Sequence, residues 1–376
     1  MICKREECTG CHACYNSCPK KCITMKEDEY GYIYPYIEKE LCINCNLCKK
    51  VCPSLNKNKN FRTPKNVYAS WSLDEKERKS SSSGGAAYIM SKYIIDNGGY
   101  VFGAAYGNEL SVNHIMVKNL EELRLLKESK YLQSNIGDSY SEVKKMLQKD
   151  EVVIFIGTPC QIDGLMSYLG KEYNNLITID IICHGVPSYK MFKEYILSKV
   201  KTTDIDKVSF RDGNDFGISL MKNNEIIFKK HFRESEYYMG FMEGLTYRDN
   251  CYKCKYAQEK RISDITLGDF WGIGESIPFK YDTKNGVSLI LINTFKGKEL
   301  LNNCKKELFL EERTLEEAIK KNDQLKSPTV EHKKRKKFLK IYKKEGFNKA
   351  IISCLRMSFI KYKIKKIIIS KDYRRG

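Results

Sequence analysis

Apolar residues along this chain come in short bursts, and their spacing divides it into elements. Residues 67–72 form a run of strand length. Residues 86–95 carry a mostly apolar helical segment, which Gly98 and Gly99 close before a second strand-like run at 100–105. The middle is more regular. A buried-strand run at 151–156 leads into Gly157-Thr158-Pro159-Cys160-Gln161, then a short helix at 162–169, a strand at 176–182 and a helix at 191–200. Strand, helix, strand in that order predicts a right-handed crossover within a parallel sheet. Beyond it, 208–211 and 218–232 read as antiparallel strands turning at Asn223-Asn224, and 286–295 as the strand that closes the folded region. Near the N-terminus, alternation over 30–37 predicts a short hairpin, and the Lys- and Asn-rich stretch 54–66 predicts a linker. The chain beyond 295 reads as helical and charged.

Composition changes this picture in two ways. At 376 residues and 42% hydrophobic content the chain can bury a sizeable core in two or three domains. No eighteen-residue apolar run occurs, and the first cysteine motif begins too early for a signal peptide, so a cytoplasmic, reducing setting is expected. The net charge of +19 is uneven. Residues 331–376 hold seventeen Lys and Arg against three acids, a net of +14, which leaves +5 for the rest. Apolar positions in this tail (Ile351, Ile352, Leu355, Phe359, Ile360, Ile364 and 367–369) fall partly at helical spacing. Three roles fit it: helices packed on the core, an interfacial helix that makes the chain peripheral at an anionic membrane, or a docking surface for an acidic partner. Nucleic-acid binding is not expected, because no aromatic-interleaved module accompanies the charge.

The chemistry lies in the cysteines. Eight of the sixteen form two runs of identical spacing: Cys8, Cys11, Cys14 and Cys18 before Pro19, then Cys42, Cys45, Cys48 and Cys52 before Pro53. Three cysteines at every third position supply three thiolates from one turn, and the fourth of each run ligates the other cluster of a two-cluster ferredoxin. One 4Fe-4S cluster is therefore expected on Cys8, Cys11, Cys14 and Cys52, the other on Cys42, Cys45, Cys48 and Cys18. Structural zinc uses paired knuckles and not this repeated triplet, and a disulfide framework needs an oxidising compartment. Cys160 and Cys183, just past neighbouring strand ends, join Cys251 and Cys254 of a C-x2-C knuckle in a possible third metal site. Spacing alone leaves zinc, iron–sulfur, or plain buried thiols at Cys160 and Cys183. Cys3, Cys22, Cys304 and Cys354 read as structural. The Ser83-Gly84-Gly85 turn opening onto a helix is a natural anion site, although a flexible loop would look the same.

The stretches GTPCQIDGL, DIICHGVPS and CYKCKYA…R…SDITLGDFWG, with SSSGG and KYLQS upstream, resemble the coenzyme F420 hydrogenase/dehydrogenase beta-subunit family over roughly residues 67–325. The resemblance implies an α+β chain. A bacterial-type 2x4Fe-4S ferredoxin fold at 1–58 precedes an α/β flavin-binding domain with a mixed sheet, its parts at 67–150 and 151–328, and a basic helical tail at 329–376. It implies FAD, and it tips the third site from zinc towards a third 4Fe-4S cluster on Cys160, Cys183, Cys251 and Cys254. Ser83, Gly84 and Gly85 become a pyrophosphate turn, with Lys130, Gln133, Ser134, Gly157, Thr158 and Pro159 around the same cofactor. Arg261, Asp264, Asp269 and Trp271 would line the flavin or hydride-donor pocket. The implied activity is an oxidoreductase passing electrons between clusters and flavin, and on to a deazaflavin such as coenzyme F420 or another small molecule. The partner is otherwise an electron donor or acceptor protein, with the chain a non-catalytic relay for another enzyme. A third, weaker reading is a metal-stabilised binding protein without flavin.

Overall fold

The computed structural model describes residues 2–56, 60–212 and 215–372, without the side chains of Asp212 and Asp215 and those from 365 onward. Its N-terminal part holds a two-stranded hairpin, β1 (Ile23–Glu27) against β2 (Ile33–Ile37), between the two cysteine runs. A mixed sheet of eight strands comes next. In chain order these are β3 (Asn66–Ser72), β4 (Tyr100–Tyr106), β5 (Val112–Val117), β6 (Val153–Gly157) and β7 (Leu176–Ile181). The three-stranded meander β8 (Lys207–Asp212), β9 (Asp215–Lys222) and β10 (Glu225–His231) interrupts the series. Then β11 (Ile265–Asp269), β12 (Ser288–Ile292) and β13 (Leu308–Arg313) complete the large sheet. Its order is β13-β3-β12-β11-β7-β6-β4-β5, with β4, β6, β7 and β11 parallel at the centre and antiparallel strands at both flanks.

Period-two burial fixes which face each side chain meets. Ile154, Ile179, Ile265 and Ile290 pack on one side with Ile89, Met90 and Ile94 of the helix Ala86–Asp96. Val153 and Phe155 point to the other, where they meet Ile162 and Leu165 of the helix Pro159–Leu169, together with Cys11 and Ala13 of the first cysteine run. That second helix begins where the sequence dictates. Pro159 occupies its first turn, Thr158 and Gln161 form a capping box, and Gly170 at φ +70° ends it.

Two expectations need correction, and one of the three roles of the tail is selected. The fold does not close at 295: the charged stretch after it contains β13, which pairs with β3, and its helices bury a core face. Phe338, Tyr342, Phe347, Ile351 and Leu355 share one apolar cluster with Phe192, Tyr195 and Tyr237, and with Ile2, Ile23 and Tyr32 of the cysteine-run segment. So the first half of the tail is structural, and the N-terminal segment shares a core with the larger part instead of hanging from a linker. Residues 57–59 of the expected linker lie outside the described residues, as do the tail side chains at 367–369. No described helix is long and apolar enough to cross a membrane.

Candidate functional site

The two cysteine runs fold into matching loops. Gly10 and His12 in the first, Asn44 and Asn46 in the second, all take positive φ, and each loop then enters a short helix (Ala13–Ser17 and Leu47–Lys50). Backbone N–H groups turned inward by such geometry favour an anion, which an iron–sulfur cluster with four thiolates is. One cysteine of each run has the fourth cysteine of the other run among its neighbours. Burial pushes the Cys14 thiol well up, and its sulfur neighbours Cys11, Cys8 and Cys52 add to the rise. Burial also raises Cys48, whose sulfur neighbours are Cys45, Cys18 and Cys42. The sets differ in exposure: Cys8, Cys11 and Cys52 are buried, whereas Cys45 stands exposed. Cys3 and Cys22 are not isolated structural thiols. Cys3 lies beside Cys52 and Cys8, and the Cys22 sulfur lies 3.4 Å from that of Cys18.

Cys160, Cys183, Cys251 and Cys254 also meet. Burial first, and then Cys251, Cys160 and Cys254, hold the Cys183 thiol well above its ordinary value, and burial pushes Cys160 and Cys251 to about 12. Cys160 sits in the first turn of the helix Pro159–Leu169, with the Thr158 hydroxyl 3.2 Å from its sulfur. One turn further along, a Cβ built on Gly164 would lie 2.9 Å from the Cys11 Cβ and 3.0 Å from its sulfur. A single helix therefore touches both cysteine sets. Among the described residues no three His, Cys, Asp or Glu side chains gather tightly enough for a single ion.

A cavity of about 580 Å³ opens on the same face, a size ordinary for an organic cofactor. All four of these cysteines line it, as do Ser83, Gly85, Lys130, Gln133, Ser134, Gly157, Thr158, Pro159, Asp269 and Trp271. The Ser83 hydroxyl is buried without a partner, and the helix Ala86–Asp96 begins after Gly85, at φ +88°, with no side chain capping its first turn. Those two features fit an anionic group. Lys130 contributes charge but no free donor: its amine reaches the backbone carbonyls of Lys127 at 2.7 Å, Glu128 at 3.2 Å and Leu126 at 3.3 Å. Ser134 accepts from Gln161, which in turn accepts from the Thr158 N–H. Gly84 does not line the cavity; its Cα faces the sheet.

Arg261 and Asp264 are also elsewhere. Arg261 is buried against Asp180 at 3.1 Å and bonds to Thr266 and the Tyr256 carbonyl. Asp264 ties β7 to the end of β12, accepting from the N–H and hydroxyl of Thr178 and from the Thr294 hydroxyl. Their motif is a packing signature of the strand junction. The residue that sequence reasoning missed is Arg211 of β8. Its guanidinium makes two 2.7 Å bonds to the Asp269 carboxylate and a 2.6 Å bond to the Ser82 carbonyl, and it shares the Tyr131 hydroxyl. Burial opposes the Arg211 charge, and Asp269 outweighs it, raising the pKa. Nothing in sequence separates Arg211 from the chain's other basic residues; only the fold brings it to Asp269. This bidentate pair fastens the meander over the cavity. Asp269→Asn is expected to lower the thermal midpoint through a loss of about 2 kcal/mol, below the roughly 3–5 of a fully buried pair because both partners are partly exposed. An unchanged melting curve would show that the pair holds nothing.

Residues 150–318 match the family model for the C-terminal part of the coenzyme F420 hydrogenase/dehydrogenase beta subunit, and residues 7–56 match the 4Fe-4S dicluster domain. An uncharacterized ferredoxin of Methanocaldococcus jannaschii is 43% identical over 54 residues, which is 14% of this chain and 69% of that protein. Ketoisovalerate oxidoreductase subunit VorC of Methanothermobacter marburgensis is 37% identical over 57 residues, 15% of this chain and 72% of its own length. A chain of the F420-reducing NiFe hydrogenase complex from Methanosarcina barkeri superposes with a TM-score of 0.44 at 16% identity, over 68% of this chain and 84% of its own.

Proposed function

The chain belongs to the coenzyme F420 hydrogenase/dehydrogenase beta-subunit family and carries an N-terminal 4Fe-4S dicluster domain, and on that premise we propose that this iron–sulfur oxidoreductase holds FAD in its cavity and a third 4Fe-4S cluster on Cys160, Cys183, Cys251 and Cys254. One observation carries the reading. The cavity is lined both by the Ser83 turn and by all four of those cysteines, and the helix bearing Cys160 rests on Cys11 of the dicluster domain.

The flavin exchanges electrons singly or in pairs while each cluster carries one at a time, so together they join one-electron to two-electron chemistry. The chain's own residues supply position and field. Ser83 and the uncapped helix start receive the pyrophosphate, Lys130 sets a positive potential beside it, and the Arg211–Asp269 pair keeps the meander closed over the cavity. Trp271, 39% exposed, stands where a deazaflavin or another reducible small molecule would enter. The exposed Cys45 loop, with Leu41, Ile43 and Leu47 around it, is where an electron-carrier protein would exchange with the dicluster.

Iron, acid-labile sulfide, zinc and flavin measured per chain on anaerobically reconstituted protein test the proposal. About twelve irons with one flavin support it; about eight irons with zinc and no flavin overturn it. The pH dependence of flavin binding offers a second check. Burial lowers the Lys130 pKa to about 8, with Glu128 pulling the other way. Between about 8 and the ordinary 10.5 the unfolded chain keeps this proton and the folded chain has lost it, so stability of the flavin-free chain rises with pH across that window. Anion binding has the opposite sign. A pyrophosphate favours the charged amine, so FAD affinity is expected to fall above about 8 by up to about tenfold per pH unit. Kd values by flavin fluorescence from pH 7 to 9 read this directly, and Lys130→Met should flatten the profile.

A further inference from the structure

Among the described residues Arg261, Arg335 and Arg248 are the arginines no more than 2% exposed, and the first two have carboxylates. Arg261 faces Asp180 at 3.1 Å and Arg335 faces Asp249 at 2.6 Å. The third, Arg248, is 0% exposed, and among the described residues no carboxylate lies within ion-pair distance of it. Its Nε donates to the Cys8 carbonyl at 2.9 Å, one Nη donates to the Gln133 amide oxygen at 3.2 Å, and the other Nη is buried with no partner. The guanidinium also lies 4.2 Å over the Tyr34 ring. A carbonyl, an amide and a ring face do not neutralise a full charge, and a buried cation without a counter-charge is strongly disfavoured.

Cysteines of two sets flank this charge, and the first run is the one Arg248 bonds to directly. Arg248 holds the Cys8 backbone through its Nε, and it stands three residues before Cys251, on the turn that leads to Cys254. Four thiolates outweigh the positive charge of an iron–sulfide core, so a ligated cluster is an anion and becomes more negative on reduction. The dicluster loop is shaped to admit this contact. A Cβ on Gly10 would lie 3.2 Å from the Arg248 Cζ and 2.6 Å from the Gln133 amide nitrogen.

We infer that Arg248 is the counter-ion of the cluster on Cys8, Cys11, Cys14 and Cys52, supplied by the larger part of the fold, and that it raises that cluster's reduction potential relative to the one on Cys42, Cys45, Cys48 and Cys18. The charge favours the reduced state, because the extra electron sits beside the unpartnered guanidinium N–H. Electrons on the dicluster domain are thereby drawn inward, from the exposed loop toward Cys160. Arg248 is a positioning residue in this scheme. The inference rests on the dicluster domain and not on the flavin or the third cluster, so it stands or falls separately from the proposal above.

The test is an equilibrium redox titration, followed by electron paramagnetic resonance, of the full chain reconstituted without oxygen and matched for iron content. Cys45→Ser marks the signal of the exposed centre. In Arg248→Met the midpoint of the other dicluster centre should move to more negative potential while the exposed centre stays in place, and Arg248→Lys should remain close to wild type. Unchanged midpoints, or an equal shift of both centres, overturn the inference. Should Arg248→Met not fold, Gln133→Glu decides, since it places a carboxylate on the same guanidinium and competes with the cluster for it. A negative shift of the inner centre supports the assignment, and a wild-type midpoint overturns it.

Discussion

Cys160→Ala is expected to cost the protein about four of its roughly twelve irons, with a matching loss of sulfide, while both dicluster signals persist. A cubane missing one of four thiolates loses the ligand that closes its cage, and the three remaining sulfurs lie in a cavity that admits solvent. Cys251→Ala should behave alike. Cys304→Ala is the control. Its thiol is buried and pushed up to about 12, first by burial and then by Glu307, with no cysteine acting on it, so its removal should leave iron untouched. Metal analysis beside the dicluster spectrum reads the outcome. Full wild-type iron in Cys160→Ala removes the third cluster from the scheme, and loss of zinc in place of iron makes the site a structural four-thiolate zinc centre.

Gly84→Val should be strongly damaging. A Cβ there would sit 2.3 Å from the Ser70 carbonyl oxygen and 2.9 Å from both the Ser288 N and the Trp71 Cα. All three are backbone atoms of β3 and β12 and cannot rotate away, so the Ser83 turn must lift off the sheet. A loss of about 3 kcal/mol or more is expected, at the upper end for overpacking. The readouts are the thermal midpoint and the flavin content together. The family resemblance assigns Gly84 to close approach of a pyrophosphate, which predicts lost flavin with an unchanged midpoint. The packing predicts that both fall. Flavin loss from a chain that melts like wild type would return Gly84 to the ligand.

Much of this protein is written in local spacing. The two cysteine runs dictate loops with the same positive-φ positions, because geometry within a turn depends only on residues a few positions apart. Pro159, the Thr158–Gln161 box and Gly170 set the limits of the helix that carries Cys160 for the same reason. Strand and helix periods likewise marked the central crossover, and with it the placement of Cys160 and Cys183 at neighbouring strand ends. Beyond reach were the meetings between distant segments. β13 hides in a charged stretch, since an edge strand has one face to bury and few apolar residues to show it. The tail's basic composition masks Phe338, Tyr342, Phe347 and Ile351, which only packing against Tyr195 and Tyr237 reveals as core. Arg261 and Asp264 share a motif with Asp269 and Trp271, yet they precede β11 while Asp269 ends it, so the length of a strand separates them from the cavity. Arg211 and Arg248 carry no signal at all in sequence. An arginine acquires its role from the charge it is folded against: a carboxylate for the one, buried thiolates for the other. Spacing along the chain cannot encode that choice.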